Sequence, residues 1–420
     1  MRLQTAKPTI CFLVGGWEGG GAAFSTLQLI RGIDRRKYQV KVVSCGDGPY
    51  TARLAADQSC DVLNTGWPPQ MRRQVATDVE PVPLGYLKLL KWIPKTVLAL
   101  NRYLRTHCID VVHTNYYHYH MVAGLACRWT GRKCVWHWRL PLEQSPKLDH
   151  NSGYDRNSEV RPDRRWALLS KLRWLVHKST ASFVWSIANS RSTADSIRSV
   201  VGDQITIIYN GIPIEPAPDD RPRLRPILGL GDDTRIVGLV GSMQPRKGHL
   251  YFLEAAARIC PRNPDVHFVY IGGQTAAGEQ PYNDFLLAKR SELGLNDRVH
   301  FMGSRPDAAL LTADFDIATV CSLPPGEGFG LVIVEAMAHS VPVISSNVGA
   351  ATEILIEGKT GRLIPPADSE ALAQAIEDLL GDEQQRRALG TAGYLECKEK
   401  FDIRRTVTQV EDLYQQVLAM

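Results

Sequence analysis

The chain has 420 residues, of which 44% are hydrophobic and 22% charged, and a formal net charge of +5. That length exceeds one ordinary core and suits two domains of roughly 200 residues each; the composition is globular, not disordered or fibrous. The charge is too mild to call for nucleic acid, but it suits a phosphorylated ligand or an anionic membrane surface. Residues 1–8 are polar and run straight into a strand, without the apolar core of a signal peptide. No stretch reaches about 20 uninterrupted apolar residues, the length of a membrane-crossing helix. Nine cysteines lie scattered without paired spacing. The expectation is buried thiols in a reducing cytoplasm.

Thr9–Val14 is a continuous apolar run, as in a buried parallel strand. Gly15-Gly-Trp-Glu-Gly-Gly-Gly21 follows, then a helix to about Gly32. Strand, glycine loop and helix open a doubly wound α/β domain. The loop has neither the spacing of a dinucleotide fingerprint nor the Gly-Lys-Ser/Thr of a phosphate loop. Residues 38–44 form a second strand, and residues 61–83, rich in Pro, Arg and Gln, a surface segment. Residues 84–105 predict a helix broken or kinked at Pro94, with Tyr, Leu, Trp and Ile interleaved among Lys88, Lys91, Lys95, Arg102 and Arg105. Such a stretch either lies on an anionic membrane or turns its apolar stripe to the core. A second basic, Trp-bearing helix is expected over residues 166–178. Peripheral membrane contact through residues 84–105 and 164–178 thus stands as an expectation beside the core-facing reading.

Residues 109–115 and 133–141 are strands that end in polar groups. Parallel sheets work at the carboxyl edge of their strands, so His113, Asn115, His137 and Arg139 should rim one cleft. Cys134 with His137, or His113 with His118 and His120, lack the second half of a zinc site, and no metal is expected. A strand near 182–188, a helix from Ser190 and a strand over 204–213 close this half.

Residues 213–232, with several prolines and mixed charge, read as a linker. An apolar strand over 235–241 leads into Ser242-Met-Gln-Pro-Arg-Lys-Gly248 and a helix. There, Arg246, Lys247 and free backbone N–H groups can hold a diphosphate. Residues 266–273 give a strand and a turn open to close backbone approach. Asp314-Phe-Asp316 has the look of a metal pair but lies where a helix end enters a strand, and no metal role is assigned to it. Residues 324–344 read as a glycine-rich loop, a helix and a buried strand. Gly326, Gly328 and Gly330 let a ligand approach the main chain, and the helix directs free N–H groups and partial positive charge at it. Glu327 and Glu335 stand eight residues apart, at most about 12 Å if all were helical. That is roughly the span of a sugar and a ribose joined by two phosphates.

Glu-Gly-Phe-Gly at 327–330, Glu-Ala-Met-Ala at 335–338 and Val-Pro-Val-Ile at 341–344 together resemble the nucleotide-binding signature of retaining glycosyltransferases of family 4, enzymes of the GT-B fold. The resemblance covers nearly the whole chain and is most specific between Gly241 and Gly361. It implies an α/β architecture of two doubly wound, Rossmann-like domains facing a cleft. Residues 1–212 would bind the acceptor, 213–232 link, 233–400 bind the nucleotide sugar, and the helix over 401–420 pack back on the first domain. The implied reaction moves a sugar from a nucleoside diphosphate sugar to a hydroxyl of a glycan or lipid-linked acceptor, with retained configuration and without metal or cofactor. Glu327, His137 and Lys247 take the catalytic roles. Gly20, Gly21, Ser242, Arg246, Lys247, Gly328, Phe329, Gly330, Leu331 and Glu335 take the donor, and Gly19, His113, Asn115 and Arg139 the acceptor side. Three departures stand out: Ser242 replaces the family's usual Arg, His339-Ser340 a small residue and Gly, and Ala350 a Gly. Two alternatives stay open, a catalytically silent nucleotide-sugar-binding protein and a sugar-nucleotide epimerase on the same fold.

Overall fold

The computed structural model describes residues 7–16, 20–57, 59–63, 82–142, 174–175, 177–216, 218–273 and 280–420, without the side chains of 82–91 and of His118. Contacts divide the chain into two units. The first runs up to Gly211 and takes in Ile403–Met420, and the second includes Ile212–Asp402.

Among the described residues the first unit holds seven parallel strands, β1 (Thr9–Val14), β2 (Gln39–Ser44), β3 (Cys60–Val62), β4 (Val111–Thr114), β5 (Lys133–Trp138), β6 (Trp185–Ala188) and β7 (Ile205–Ile207). Their order is β3-β2-β1-β4-β5-β6-β7. The order reverses between β1 and β4, where a doubly wound sheet opens its crevice. Strand β1 is buried along its whole length, because helices cover both faces of such a sheet.

Among the described residues the second unit holds six parallel strands, β8 (Arg235–Val240), β9 (Val266–Ile271), β10 (Val299–Phe301), β11 (Ile317–Val320), β12 (Val343–Ser346) and β13 (Arg362–Ile364). Their order is β10-β9-β8-β11-β12-β13, with the switch between β8 and β11.

The helix Val82–Thr106, expected to break or kink at Pro94, continues through it without a break. A mid-helix proline costs about 3 kcal/mol. Val97, Leu100 and Leu104 lie buried in the first unit's core, and each such side chain returns about 1.5–3 kcal/mol, so packing wins.

The segment expected to be an extended linker belongs to the second unit, and residues Leu224–Leu228 of it are helical. Asp314 and Asp316 anchor it. Asp314 accepts from Arg221 and from the Leu224 N–H, and Asp316 from Arg225, Arg235 and the Ile236 N–H. The Asp-x-Asp pair is thus engaged by arginines and backbone.

The helix Ile403–Ala419 packs in the first unit. Glu411, buried on it, accepts from the Asp34 N–H at 2.7 Å and from Lys37 Nζ at 2.8 Å. Ser340 takes a left-handed φ of 58°, at the position where the resembled family carries glycine. Ala350, at φ −74°, is unstrained.

Candidate active site

In the second unit the loops after β8 and β11 meet at the switch point. Leu323 N–H donates to the Arg246 carbonyl at 2.8 Å, tying one loop to the other. Gly248 sits at φ 71°, and a Cβ there would land on the Cys321 carbonyl oxygen, so only glycine permits this approach. The short turn Pro245–Lys247 ends at this glycine, and the helix His249–Ile259 starts from it.

The turn and the glycine-rich loop bring Lys247 to Glu327. Lys247 Nζ donates to Glu327 Oε1 at 2.6 Å, with both side chains under 15% exposed. Ser322 Oγ, at the end of β11, donates to the same oxygen at 2.6 Å, and Arg246 Nη1 stands 3.5 Å from it. Burial alone would raise the Glu327 carboxyl; the charges of Lys247 and Arg246 and the hydrogen bonds from Lys247 and Ser322 overcome it and hold it at about 2. Burial pulls the Lys247 ammonium below its usual value, against the attraction of Glu327 and with the repulsion of Arg246. The short contact and the depressed carboxyl make this an ionised pair at neutral pH.

Gly330, at φ 87°, caps the helix Leu331–Ala338. The loop is held from behind: Ala350 N–H donates to the Glu327 carbonyl at 3.1 Å. Phe329 turns its ring into the interior against Phe401, centroids 5.6 Å apart, so only its main chain can serve a donor. Leu331 is buried. Glu335 is half-buried in the helix, and burial pushes its carboxyl up to about 7. Ser242 is partly exposed, and its carbonyl accepts from the Gln244 N–H at 2.8 Å. Beside it lies a cavity of about 440 Å³ lined by Met243, Tyr270, Gly272, Gly273, Asn283, Leu287, Phe301, Gly303 and Ser304. Its apolar and glycine walls suit a flat heterocycle.

In the first unit His113 and His137 occur on neighbouring strands. His113 is in register with Val135, so His137, two residues on, shares its face of the sheet. His113 Nε2 lies 3.2 Å from His137 Nδ1, and His113 Nδ1 lies 2.7 Å from the Tyr414 hydroxyl. Burial, reinforced by the Arg139 charge, lowers both imidazoles well below the usual range. They are neutral. His137 Nε2 has no hydrogen-bond partner among the described residues. His113, expected on the acceptor side, is fully buried with both ring nitrogens engaged, so it orients His137 instead.

Arg139 is also buried, at 4% exposure. Its Nε donates to Asn115 Oδ1 at 3.0 Å and its Nη1 donates to Asn210 Oδ1. Burial lowers its guanidinium to about 10. Gly20 and Gly21 are exposed at the start of the helix Gly20–Gly32, whereas Gly19 lies outside the described residues. Residues 164–173 of the expected membrane contact also lie outside them, and no described helix is long and apolar enough to cross a membrane.

Sequence reasoning missed Ser322, Tyr414 and Asn210. Ser322 follows a strand at its carboxyl edge, the signal that selected His137. Nothing local marks Tyr414, which arrives on the C-terminal helix.

Residues 19–216 match the family model "Glycosyltransferase Family 4" and residues 220–396 the model "Glycosyl transferases group 1". A D-inositol 3-phosphate glycosyltransferase of Corynebacterium glutamicum is 32% identical over 52% of this chain and 53% of its own length. A GDP-mannose-dependent alpha-(1-6)-phosphatidylinositol monomannoside mannosyltransferase of Mycolicibacterium smegmatis is 35% identical over 42% of this chain and 47% of its own. The chain spans about half the length of the curated relatives it matches. Among solved structures, Anabaena HepE in complex with UDP aligns with a TM-score of 0.75 at 24% identity over 97% of this chain and 100% of its own. The sucrose-phosphate synthase of Thermosynechococcus elongatus aligns with a TM-score of 0.74 at 24% identity, over 98% and 100%. These two likenesses establish the fold, two Rossmann-like parallel-sheet domains of GT-B type. With both halves of the chain matched and the Lys247–Glu327 geometry in place, the chain belongs to the group 1 glycosyltransferases of family 4.

Proposed function

We propose that the protein is a retaining, metal-independent glycosyltransferase that moves a sugar from a nucleoside diphosphate sugar to a hydroxyl of a glycan or lipid-linked acceptor. The observation that carries this reading is the ion pair of Lys247 and Glu327 in front of the helix Leu331–Ala338. Diphosphate oxygens compete with Glu327 for Lys247 and Arg246. Glu327 is then free to accept from hydroxyls of the transferred sugar. As the sugar–phosphate bond breaks, negative charge grows on the diphosphate, and the two cations with the helix N–H groups stabilise it. These groups supply the charge that a divalent metal supplies in other transferases. Glu335 accepts from the ribose hydroxyls. We assign His137, through its unpartnered Nε2, to the sugar, and Gly20 and Gly21 to backbone contacts with the donor. The leaving diphosphate takes the acceptor's proton, because Glu327 and His137 do not make the carboxylate pair of a retaining glycosidase.

The relatives' names carry inositol phosphate, phosphatidylinositol mannoside and GDP-mannose, and the neighbour's carries UDP. A sugar acceptor bearing a polar or lipid group is consistent with them. Work on a lipid-linked acceptor at the cytoplasmic membrane surface would use residues 84–105 and 164–178; Lys95 lies over the Trp92 ring at 4.9 Å.

The test is release of nucleoside diphosphate from UDP-, GDP- and ADP-sugars with and without membrane extract, in EDTA, with the product's anomeric configuration read by NMR. One donor should turn over only with acceptor, undiminished by EDTA and with retention. Binding without turnover would favour the silent binding protein, and an altered free sugar nucleotide the epimerase.

A further inference from the structure

The first unit buries a cation that no described acid neutralises. Arg139 follows β5 at the carboxyl edge of the sheet and is 4% exposed. Its described side-chain hydrogen-bond partners are neutral. Nε donates to Asn115 Oδ1 and Nη1 to Asn210 Oδ1. Its main chain is pinned too, since Asn189 Nδ2 donates to the Arg139 carbonyl at 2.9 Å. Asn115, Asn189 and Asn210 close three neighbouring strands, β4, β6 and β7, around the end of β5. Asn115 and Asn210 fix the guanidinium without cancelling its charge, and no carboxylate among the described residues pairs with it.

Among the described residues, the buried nitrogens Arg139 Nη2, Asn115 Nδ2 and His137 Nε2 have no hydrogen-bond partner at this edge. Arg139 Nη2 and Asn115 Nδ2 can only donate. Leaving a buried cation short of a counter-charge is costly unless an anion completes it. The next residue, Leu140, is 57% exposed, so Arg139 lies one residue from solvent. A guanidinium held by neutral amides with one edge left over matches the planar geometry of an oxyanion.

We propose that Arg139 and Asn115 bind an oxyanion carried by the acceptor, a phosphate or carboxylate group, and so select acidic acceptors over neutral ones. This rests on the transferase reading, because it is the acceptor that brings the anion. His137, two residues before Arg139, would then sit beside an acceptor fixed by its charge.

The test titrates full-length wild-type protein, Arg139→Gln, Arg139→Lys and Lys247→Gln with inorganic phosphate and with acetate at matched ionic strength, following heat and melting temperature. Each protein is titrated in parallel with UDP, GDP and ADP. With the donor's diphosphate site filled by saturating nucleotide, or stripped of its main cation in Lys247→Gln, the phosphate that still binds should be that of the Arg139 edge. Arg139→Gln should bind at least tenfold more weakly, with Arg139→Lys in between, since a lysine keeps the charge but not the fork. Nucleotide affinity should hold in the Arg139 variants and fall in Lys247→Gln. A preference for acetate over phosphate would assign a carboxylate rather than a phosphate source. The proposal is overturned if wild type shows no stabilisation by either anion beyond chloride, if Arg139→Gln binds as wild type does, or if Arg139→Gln loses nucleotide affinity as strongly as phosphate affinity. The last result would make the anion the donor's own. Should Arg139→Gln not fold, the wild-type titration and Arg139→Lys decide. Absence of nucleotide binding in every protein, with phosphate binding intact, would sink the transferase reading and leave the anion site standing.

Discussion

Lys247 Nζ and Glu327 Oε1 stand 2.6 Å apart across 80 residues of sequence, joining the loops that follow β8 and β11. Either partner alone would be a charge in a tight, poorly solvated corner. Replacing Lys247 by Ala leaves Glu327 with Arg246 at 3.5 Å as its remaining cation. We expect Lys247→Ala to lower kcat/KM by about a hundredfold or more, the scale of one lost transition-state contact, with steady-state kinetics as the check.

The same pair sets an acid limit. The Glu327 carboxyl is depressed from 4.5 to about 2, so its stabilising effect is complete above pH 4.5 and disappears as pH falls to 2. Its ceiling is about 3 kcal/mol, reduced by the cost of burying Lys247. Urea titrations from pH 6 to pH 3 should show wild type losing more stability than Glu327→Gln.

Glu335 behaves in the opposite sense. Its carboxyl is raised from 4.5 to about 7. A raised acid favours the folded state only while protonated, so stability falls as pH climbs from 4.5 to 7 and then levels off. Glu335→Gln should remove this slope and be the more stable protein at pH 8, by at most about 3 kcal/mol. If the ionised carboxylate accepts from ribose, nucleotide affinity in wild type should rise through pH 7, and the variant should lose both the rise and most of the affinity. Melting curves and calorimetry at pH 5.5 and pH 8 read the two effects separately.

Tyr414 holds His113, and His113 holds His137. Tyr414→Phe removes one buried partner and leaves His113 Nδ1 unsatisfied, which costs about 1–3 kcal/mol. A looser His137 should lower kcat by about tenfold with KM nearly unchanged. Denaturant titration gives the first number and turnover the second.

Asp314 shares a buried pair with Arg221, both side chains below 8% exposed. Asp314→Asn leaves that arginine without its anion, and the loss should be about 3–5 kcal/mol. Ser340→Gly should do the reverse. It relieves a non-glycine residue at φ 58° and should add about 1 kcal/mol. Chemical denaturation of the two variants beside wild type checks both signs.

The two sheets were legible because buried parallel strands read as apolar runs, and 10–14 and 236–240 are such runs. Lys247, Arg246 and Glu327 were legible because each sits just before a helix or in a glycine-rich loop, where chain order alone dictates an anion-facing backbone. Asp314 and Asp316 were not. Their spacing is local, but their arginines come from residues 221–235, and only the fold brings them together. His113 and Phe329 could be placed at the right edge but not turned: register against Val135 and packing on Phe401 decide which way each side chain points. The asparagines around Arg139 belong to three separate strand ends, and no periodicity links them.

The most direct measurement is calorimetric titration of wild type and Lys247→Ala with UDP, GDP and ADP. One of the three should bind wild type, and Lys247→Ala should bind it at least tenfold more weakly, about 1.4 kcal/mol. Equal affinity in both proteins, or no heat with any of the three on folded wild type, would contradict the transferase reading.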